Sequence, residues 1–356
     1  MMRPLIIGGG PAGCAAALAL ASQGHVATIF ERDRTTSDAI CGGFMSWRTL
    51  AALETLGIAP RGHAIDRVAL FAGDRQAEAR LPGRAIGLSR HALDSMMLTA
   101  AEYAGAAVER GVEAREIEGR SLRLADGTVV EPPCVFLAVG KHDLRGSARP
   151  REDSDPTLGL RLRLPAHPSL TALIGSTIEL HLFDRGYAGL MLHEDGTANL
   201  CMAVRKSRLT EASGRPEALF AALGNRTPLG DRLAFAGTAP VDAIAAVPYG
   251  WRALATEIGV FRLGDQAAVI PSLAGEGIGI AIASGIAAAD AYARSGATAA
   301  ATHQARFAKR SRRPVAAARM LWTLAEQPRI ARAALPLVDA IPSLATLAAR
   351  LTRIGD

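Results

Sequence analysis

The sequence predicts an α/β chain, and three observations predict it. Residues 5–31 read as strand, glycine-rich turn, helix and strand. Between about residues 156 and 245, short strand-like segments alternate with turn residues, and residues 301–356 read as basic helices punctuated by prolines.

The first unit is the most specific. Leu5-Ile6-Ile7 is an aliphatic run, and Gly8-Gly9-Gly10-Pro11-Ala12-Gly13 behind it places Gly8, Gly10 and Gly13 in a G-x-G-x-x-G spacing. In that spacing the first glycine turns the chain, the second lets the backbone approach a pyrophosphate, and the third lets the helix pack tightly on the sheet. An Ala/Leu helix runs toward Gly24, and Val26–Phe30 is a second strand closed by Glu31 and Arg32. Glu31, 18 residues after Gly13, stands where a carboxylate accepts hydrogen bonds from ribose hydroxyls. Strand, turn, helix and acid in register give a Rossmann-like dinucleotide-binding domain, with Pro11, Ala12 and Arg32 among the residues expected at the cofactor.

A second fingerprint decides which dinucleotide. Ile258–Asp265 reads as a strand ending in Gly264-Asp265, followed by Pro271, then Gly275-Glu276-Gly277-Ile278-Gly279 and an Ala-rich helix to Ala293. This resembles the second FAD fingerprint of the geranylgeranyl reductases and flavoprotein aromatic hydroxylases (the p-hydroxybenzoate hydroxylase-like superfamily). The resemblance implies a glutathione-reductase type of FAD-binding domain, with Asp265 on the ribityl chain and the glycines beneath the flavin. The chemistry agrees: a carboxylate accepts a ribityl hydroxyl, glycine permits close approach to a flat ring, and a helix N-terminus stabilises negative charge on reduced flavin.

The resemblance covers most of residues 1–295. Arg90-His91-Ala92-Leu93-Asp94 resembles the family's Arg-x-x-Leu-Asp helix start, which implies a guanidinium near the FAD phosphates. The segment ending at Ala114 implies a main-chain contact to adenine. Cys41-Gly42-Gly43 resembles the turn that lies against the isoalloxazine ring of the reductases, and Cys41 is a candidate proton donor or redox-sensitive thiol. Val139 stands where the hydroxylases carry an Asp tied to FAD and NADPH, and no second glycine-rich unit follows. Electrons are therefore expected from a partner or from NADPH or NADH docked transiently.

Thr177–Phe183, Tyr187–Leu192 and Ala198–Val204, with turns at Asp184-Arg185-Gly186 and Glu194-Asp195-Gly196, predict an inserted antiparallel β-sheet that roofs the flavin. Tyr187, His181 and His193 are candidates for acid–base work. The Tyr187 strand lacks the Trp and Pro of the reductases and halogenases, which sets halogenation aside. The expected organisation is a discontinuous FAD-binding domain (1–155 and 246–300), a substrate-binding sheet domain (156–245) and basic C-terminal helices (301–356).

These readings lead to an FAD-dependent oxidoreductase that reduces or desaturates a hydrophobic small molecule (isoprenoid, polyketide, phenolic or quinoid) by hydride transfer through flavin N5. Two alternatives stay open: a monooxygenase working through a C4a-hydroperoxide, and a non-catalytic flavin- and lipid-binding protein.

Composition narrows the rest. The chain carries a formal charge of +6, yet residues 301–356 alone hold ten basic side chains against three acidic ones. The basicity belongs to the tail, which excludes a body-wide nucleic-acid surface. Cys14, Cys41, Cys134 and Cys201 have no CxxC pair and the histidines no i, i+4 spacing, so no structural metal is expected. Without a long apolar run or signal-type start, the expected location is cytoplasmic. Around Pro314 the basic helix of residues 303–313 should break or kink. The tail either packs across the substrate sheet with its Arg face in water or lies on an anionic membrane.

Overall fold

Leu5–Ile7, Thr28–Glu31, Ala107–Arg110, Val135–Leu137 and Val260–Arg262 form one five-stranded sheet in which every pairing is parallel. The structure is a computed structural model and describes residues 3–150 and 154–355. Helices Pro11–Ala21 and Gly277–Ser295 lie against each other beside this sheet. Their contact is backbone on backbone: a Cβ on Gly285 would stand 2.5 Å from the Ala12 carbonyl oxygen. On the helix-covered side the sheet is sealed by aromatic rings, with Phe136 and Phe261 stacked at 4.7 Å and Tyr292 edge-on to both.

The second sheet has eight strands, ordered Val241–Ile244, Thr157–Leu164, Ala198–Arg205, Gly186–Leu192, Thr177–Phe183, His63–Ala72, Arg75–Gly87 and Phe44–Met45. It is therefore wider than the 156–245 insertion read from the sequence, and it is not purely antiparallel. Thr177–Phe183 pairs in parallel with His63–Ala72, which joins the strands of residues 44–87 to those of the insertion. The physical reason is the edge: left unpaired, Thr177–Phe183 would present a row of open N–H and C=O groups. Short helices, among them Pro216–Gly224 and Pro228–Leu233, cover the outer face with Leu219, Phe220 and Leu229. A three-stranded sheet (Ala114–Glu118, Ser121–Leu124, Val129–Val130) caps the nucleotide end.

Helix Ala300–Ala325 runs through Pro314, so of the break or kink expected there the break does not occur. Pro costs a helix about 3 kcal/mol, and the buried Phe307, Val315, Ala318 and Trp322 on both sides of it offset that loss. Helix Pro328–Ala340 likewise contains Pro336, and Ser343–Leu351 completes the tail.

Candidate flavin and substrate site

The carboxyl ends of the parallel strands open on a cavity of about 890 Å³ lined by Gly8, Gly10, Glu31, Arg32, Arg90, Ala114, Gly140 and Asp265, among others. Gly8 has φ +105°, a left-handed conformation that lets the chain turn sharply after the first strand. Gly13 lies beneath it, and a Cβ there would stand 2.0 Å from the Gly8 carbonyl oxygen. Glu31 is anchored from both sides, Oε2 accepting from Gly9 N at 2.7 Å and Oε1 from Asp33 N at 2.9 Å.

Arg90 donates through Nε and Nη2 to Asp94 at 2.7 and 2.6 Å, and its Nη2 would be 3.4 Å from a Cβ on Gly10. Burial opposes the Arg90 charge, but Asp94 outweighs it and raises the guanidinium pKa above its ordinary value. The pair thus fixes a cation beside the glycine turn, with Nη1 left for a phosphate oxygen.

A second cavity of about 220 Å³ begins where the first ends and shares Gly10, Ile40, Arg90, Lys141 and Asp265 with it. One wall is main chain: Cys41-Gly42-Gly43 on one side, Gly264, Gly275 and Gly277 on the other. A Cβ on Gly42 or Gly277 would meet nothing within 4 Å, so both glycines border open space, whereas a Cβ on Gly43 would clash with His193 Nε2 at 2.5 Å. Cys41 Sγ accepts from Gly43 N at 3.4 Å, within the turn. The turn is clamped from the sheet: Asn199 Nδ2 donates to the Cys41 and Gly42 carbonyls at 2.9 and 2.8 Å, and His193 Nε2 lies 3.1 Å from the Gly42 carbonyl. Burial holds the His193 pKa below its ordinary value, which favours the neutral ring that can donate this bond.

The rest of the lining is largely side chain. Tyr187, Gly189 and Met191 alternate onto one face of their strand, with Asn199 and Cys201 cross-strand from Met191 and Gly189. Among Leu160, Ile178, Leu180, Met191 and Met202 stands a line of three hydroxyls. Tyr187 Oη donates to Ser272 Oγ at 2.6 Å, and Ser272 Oγ is 2.6 Å from Tyr249 Oη. Burial pushes both phenols well above their ordinary pKa, so both are neutral near pH 7. Trp322 backs them, edge-on to Tyr187 and tilted on Tyr249 at 4.6 Å.

Of the residues singled out by sequence, Gly8, Gly10, Pro11, Ala12, Glu31, Arg32, Cys41, Gly42, Gly43, Arg90, Ala114, Tyr187, Gly264, Asp265, Gly275, Gly277 and Ile278 line these two cavities. Gly13, Pro271 and Gly279 line neither and act in packing: Gly279 lets Glu276 close in, where a Cβ would stand 2.6 Å from Oε1. His181 also lies away from both cavities, bound to Glu179 at 3.0 Å in a buried cluster with Arg232. His193 supports the turn and lines neither cavity. Sequence reasoning missed Asn199, Tyr249, Ser272 and Arg149. Asn199 left one signal, a lone amide in an otherwise apolar strand. Arg149 left none, though its buried guanidinium ties Asp143, the Lys141 carbonyl and the Asp265 carbonyl together.

An FAD fits this donor set. The glycine turn and helix N-terminus suit its pyrophosphate, Glu31 its ribose, Asp265 its ribityl chain, and the open space over Gly42 and Gly277 a flat ring.

The fold and the site fit an FAD-dependent enzyme. Residues 1–127 match the family described as FAD binding domain, and FAD is the cofactor. No curated protein matches the sequence. Solved structures share the fold at low identity. PqsL of P. aeruginosa, in complex with 2-aminobenzoylacetate, is 19% identical with a TM-score of 0.77, covering 93% of this chain and 98% of that one. A geranylgeranyl bacteriochlorophyll reductase-like protein from Thermoplasma acidophilum is 18% identical with a TM-score of 0.74, covering 95% and 91%. A flavin-dependent brominase, Bmp2, in a triple mutant, is 14% identical with a TM-score of 0.76, covering 98% and 94%.

Proposed function

We propose that this chain reduces or desaturates a compact, largely apolar small molecule with an oxygen substituent, phenolic or quinoid in type, bound between the glycine wall and the tyrosine wall. The observation that carries this reading is the hydroxyl line Tyr187–Ser272–Tyr249 beside the aliphatic and Met side chains of the cavity. Bound FAD supplies two-electron hydride chemistry. The chain's own part is to hold the substrate and move a proton. With Tyr187 donating to Ser272 and Ser272 to Tyr249, the Tyr249 O–H remains to donate to a substrate oxygen. Neutral, buried phenols are proton donors rather than bases, which suits reduction of a double bond conjugated to that oxygen. The small volume disfavours a long isoprenoid chain.

Monooxygenation is the second reading, favoured by the apolar lining, which limits water at the reacting centre. A screen of quinones, enones and phenols under anaerobic conditions, with chemically reduced protein, separates the two. Oxidation of the flavin by substrate without oxygen supports reduction. Strict dependence on oxygen, with label from O₂ in the product, moves the assignment to the monooxygenase. No substrate-dependent change in the flavin spectrum leaves the non-catalytic binding reading. The electron donor in this proposal is NADPH, NADH or a protein that docks transiently. Turnover unchanged in Cys41→Ala would remove the Cys41 thiol as a reacting group.

A further inference from the structure

The tail buries one set of side chains and exposes another. Ala331 and Leu335 of helix Pro328–Ala340 pack on Ala72 and Ala77 of the eight-stranded sheet. Arg353, beyond the last helix, is buried against Glu276 at 2.9 Å and stacks over Trp47. On the outside, eight of the fifteen exposed large apolar side chains among the described residues fall between Met320 and Leu351. They are ordered: Ile330, Leu337 and Ile341 recur at i, i+7 and i+11, and Leu344, Leu347 and Leu351 at i, i+3 and i+7. Ile330 and Leu337 share one stripe of the first helix, which Ile341 ends as its C-cap, and Leu344, Leu347 and Leu351 form one stripe along the second. Leu337, Leu347 and Leu351 are each more than half exposed.

Charge flanks these stripes. Arg350 stands about 60° around its helix from Leu347, by the turn of an α-helix, and Arg329 precedes Ile330. No described carboxylate pairs with Arg312, Arg313, Arg319, Arg329 or Arg350. The two helices meet at 113°, and neither is long and apolar enough to cross a membrane. An L-shaped pair of short helices with exposed leucine stripes and unpaired arginines has the makeup of an interfacial anchor.

We propose that helices Pro328–Ala340 and Ser343–Leu351 dock the protein on an anionic lipid surface, leucines in the acyl boundary and arginines at the headgroups. A second copy of the chain fits this face less well, since a symmetric pairing would bring Arg329 and Arg350 toward their own counterparts with no described acid but Asp339 on these helices. The inference rests on the tail surface and not on the reaction assigned to the cavity.

Co-sedimentation of the full chain as purified tests it, using vesicles of phosphatidylglycerol and phosphatidylcholine in equal parts against phosphatidylcholine alone. Binding should appear on the mixed vesicles, weaken at high salt, and fall by about tenfold or more in Leu337→Asp/Leu347→Asp. That variant should keep its flavin spectrum, because both leucines are exposed. Arg329→Gln/Arg350→Gln should reduce the preference for the anionic vesicles. Absence of vesicle binding, or binding unchanged by the leucine pair, overturns the proposal. Dimers seen by light scattering and lost in the leucine pair, without vesicle binding, would give the face to a second copy instead.

Discussion

The two walls of the central cavity are made of different material. The glycine wall is main chain, set by Gly42, Gly264, Gly275 and Gly277 and backed by touching helices. The other part of the lining is side chain, with Tyr187, Tyr249 and Ser272 brought from two distant stretches of sequence. The difference teaches where each function resides. A backbone wall is specified by what is absent, a Cβ: at Gly275 one would stand 2.8 Å from the Phe44 ring, while at Gly42 and Gly277 it would fill the open space that the cavity offers. A side-chain wall can change its chemistry while leaving cofactor binding intact.

Three substitutions test this contrast, and a fourth tests the packing behind the parallel sheet. The largest effect is expected from Gly13→Val, whose Cβ would stand 2.0 Å from the Gly8 carbonyl oxygen. Purified protein should lack the visible flavin absorbance, and full retention would break the backbone account. Next is the support behind the parallel sheet. His303 is buried beside Phe261 and Phe307, and burial lowers its pKa to about 4 from an ordinary 6.5. The folded state favours the neutral ring, so the contribution is present above pH 6.5 and lost as pH falls from there toward 4. This amounts to about 3 kcal/mol. Urea unfolding across that window should show His303→Leu losing less stability than the wild type.

On the side-chain wall, Tyr187→Phe should keep FAD while turnover falls roughly 10²-fold. Loss of flavin in that variant would show that the walls are not separable. The smallest effect is expected where they meet: Asn199→Ala removes two hydrogen bonds to the Cys41-Gly42 turn and should weaken FAD binding by about tenfold, read by titration of the apoprotein.

The cofactor half was the legible half. Gly8, Gly10 and Gly13, Glu31, and Gly264-Asp265 each carry a local requirement, a positive φ, a close approach or a carboxylate at a strand end, that a few neighbouring residues reveal. Arg90 was legible as a helix-start guanidinium, though not its pairing with Asp94. The substrate half was legible only at Tyr187. Tyr249 and Ser272 have no periodicity to mark them, and Asn199 meets Cys41 across 158 positions.

By itself the sequence determined an α/β flavin-binding chain, because glycine spacing and strand-turn-helix order are local properties of the backbone. Tertiary structure alone decided that the strands of residues 44–87 widen the second sheet, that packing carries a helix through Pro314, and that Arg353 of the basic tail is buried on Glu276. Each of those outcomes pairs groups far apart in the chain. Their energies arise from edge pairing, burial and desolvation, which exist only once the elements have met.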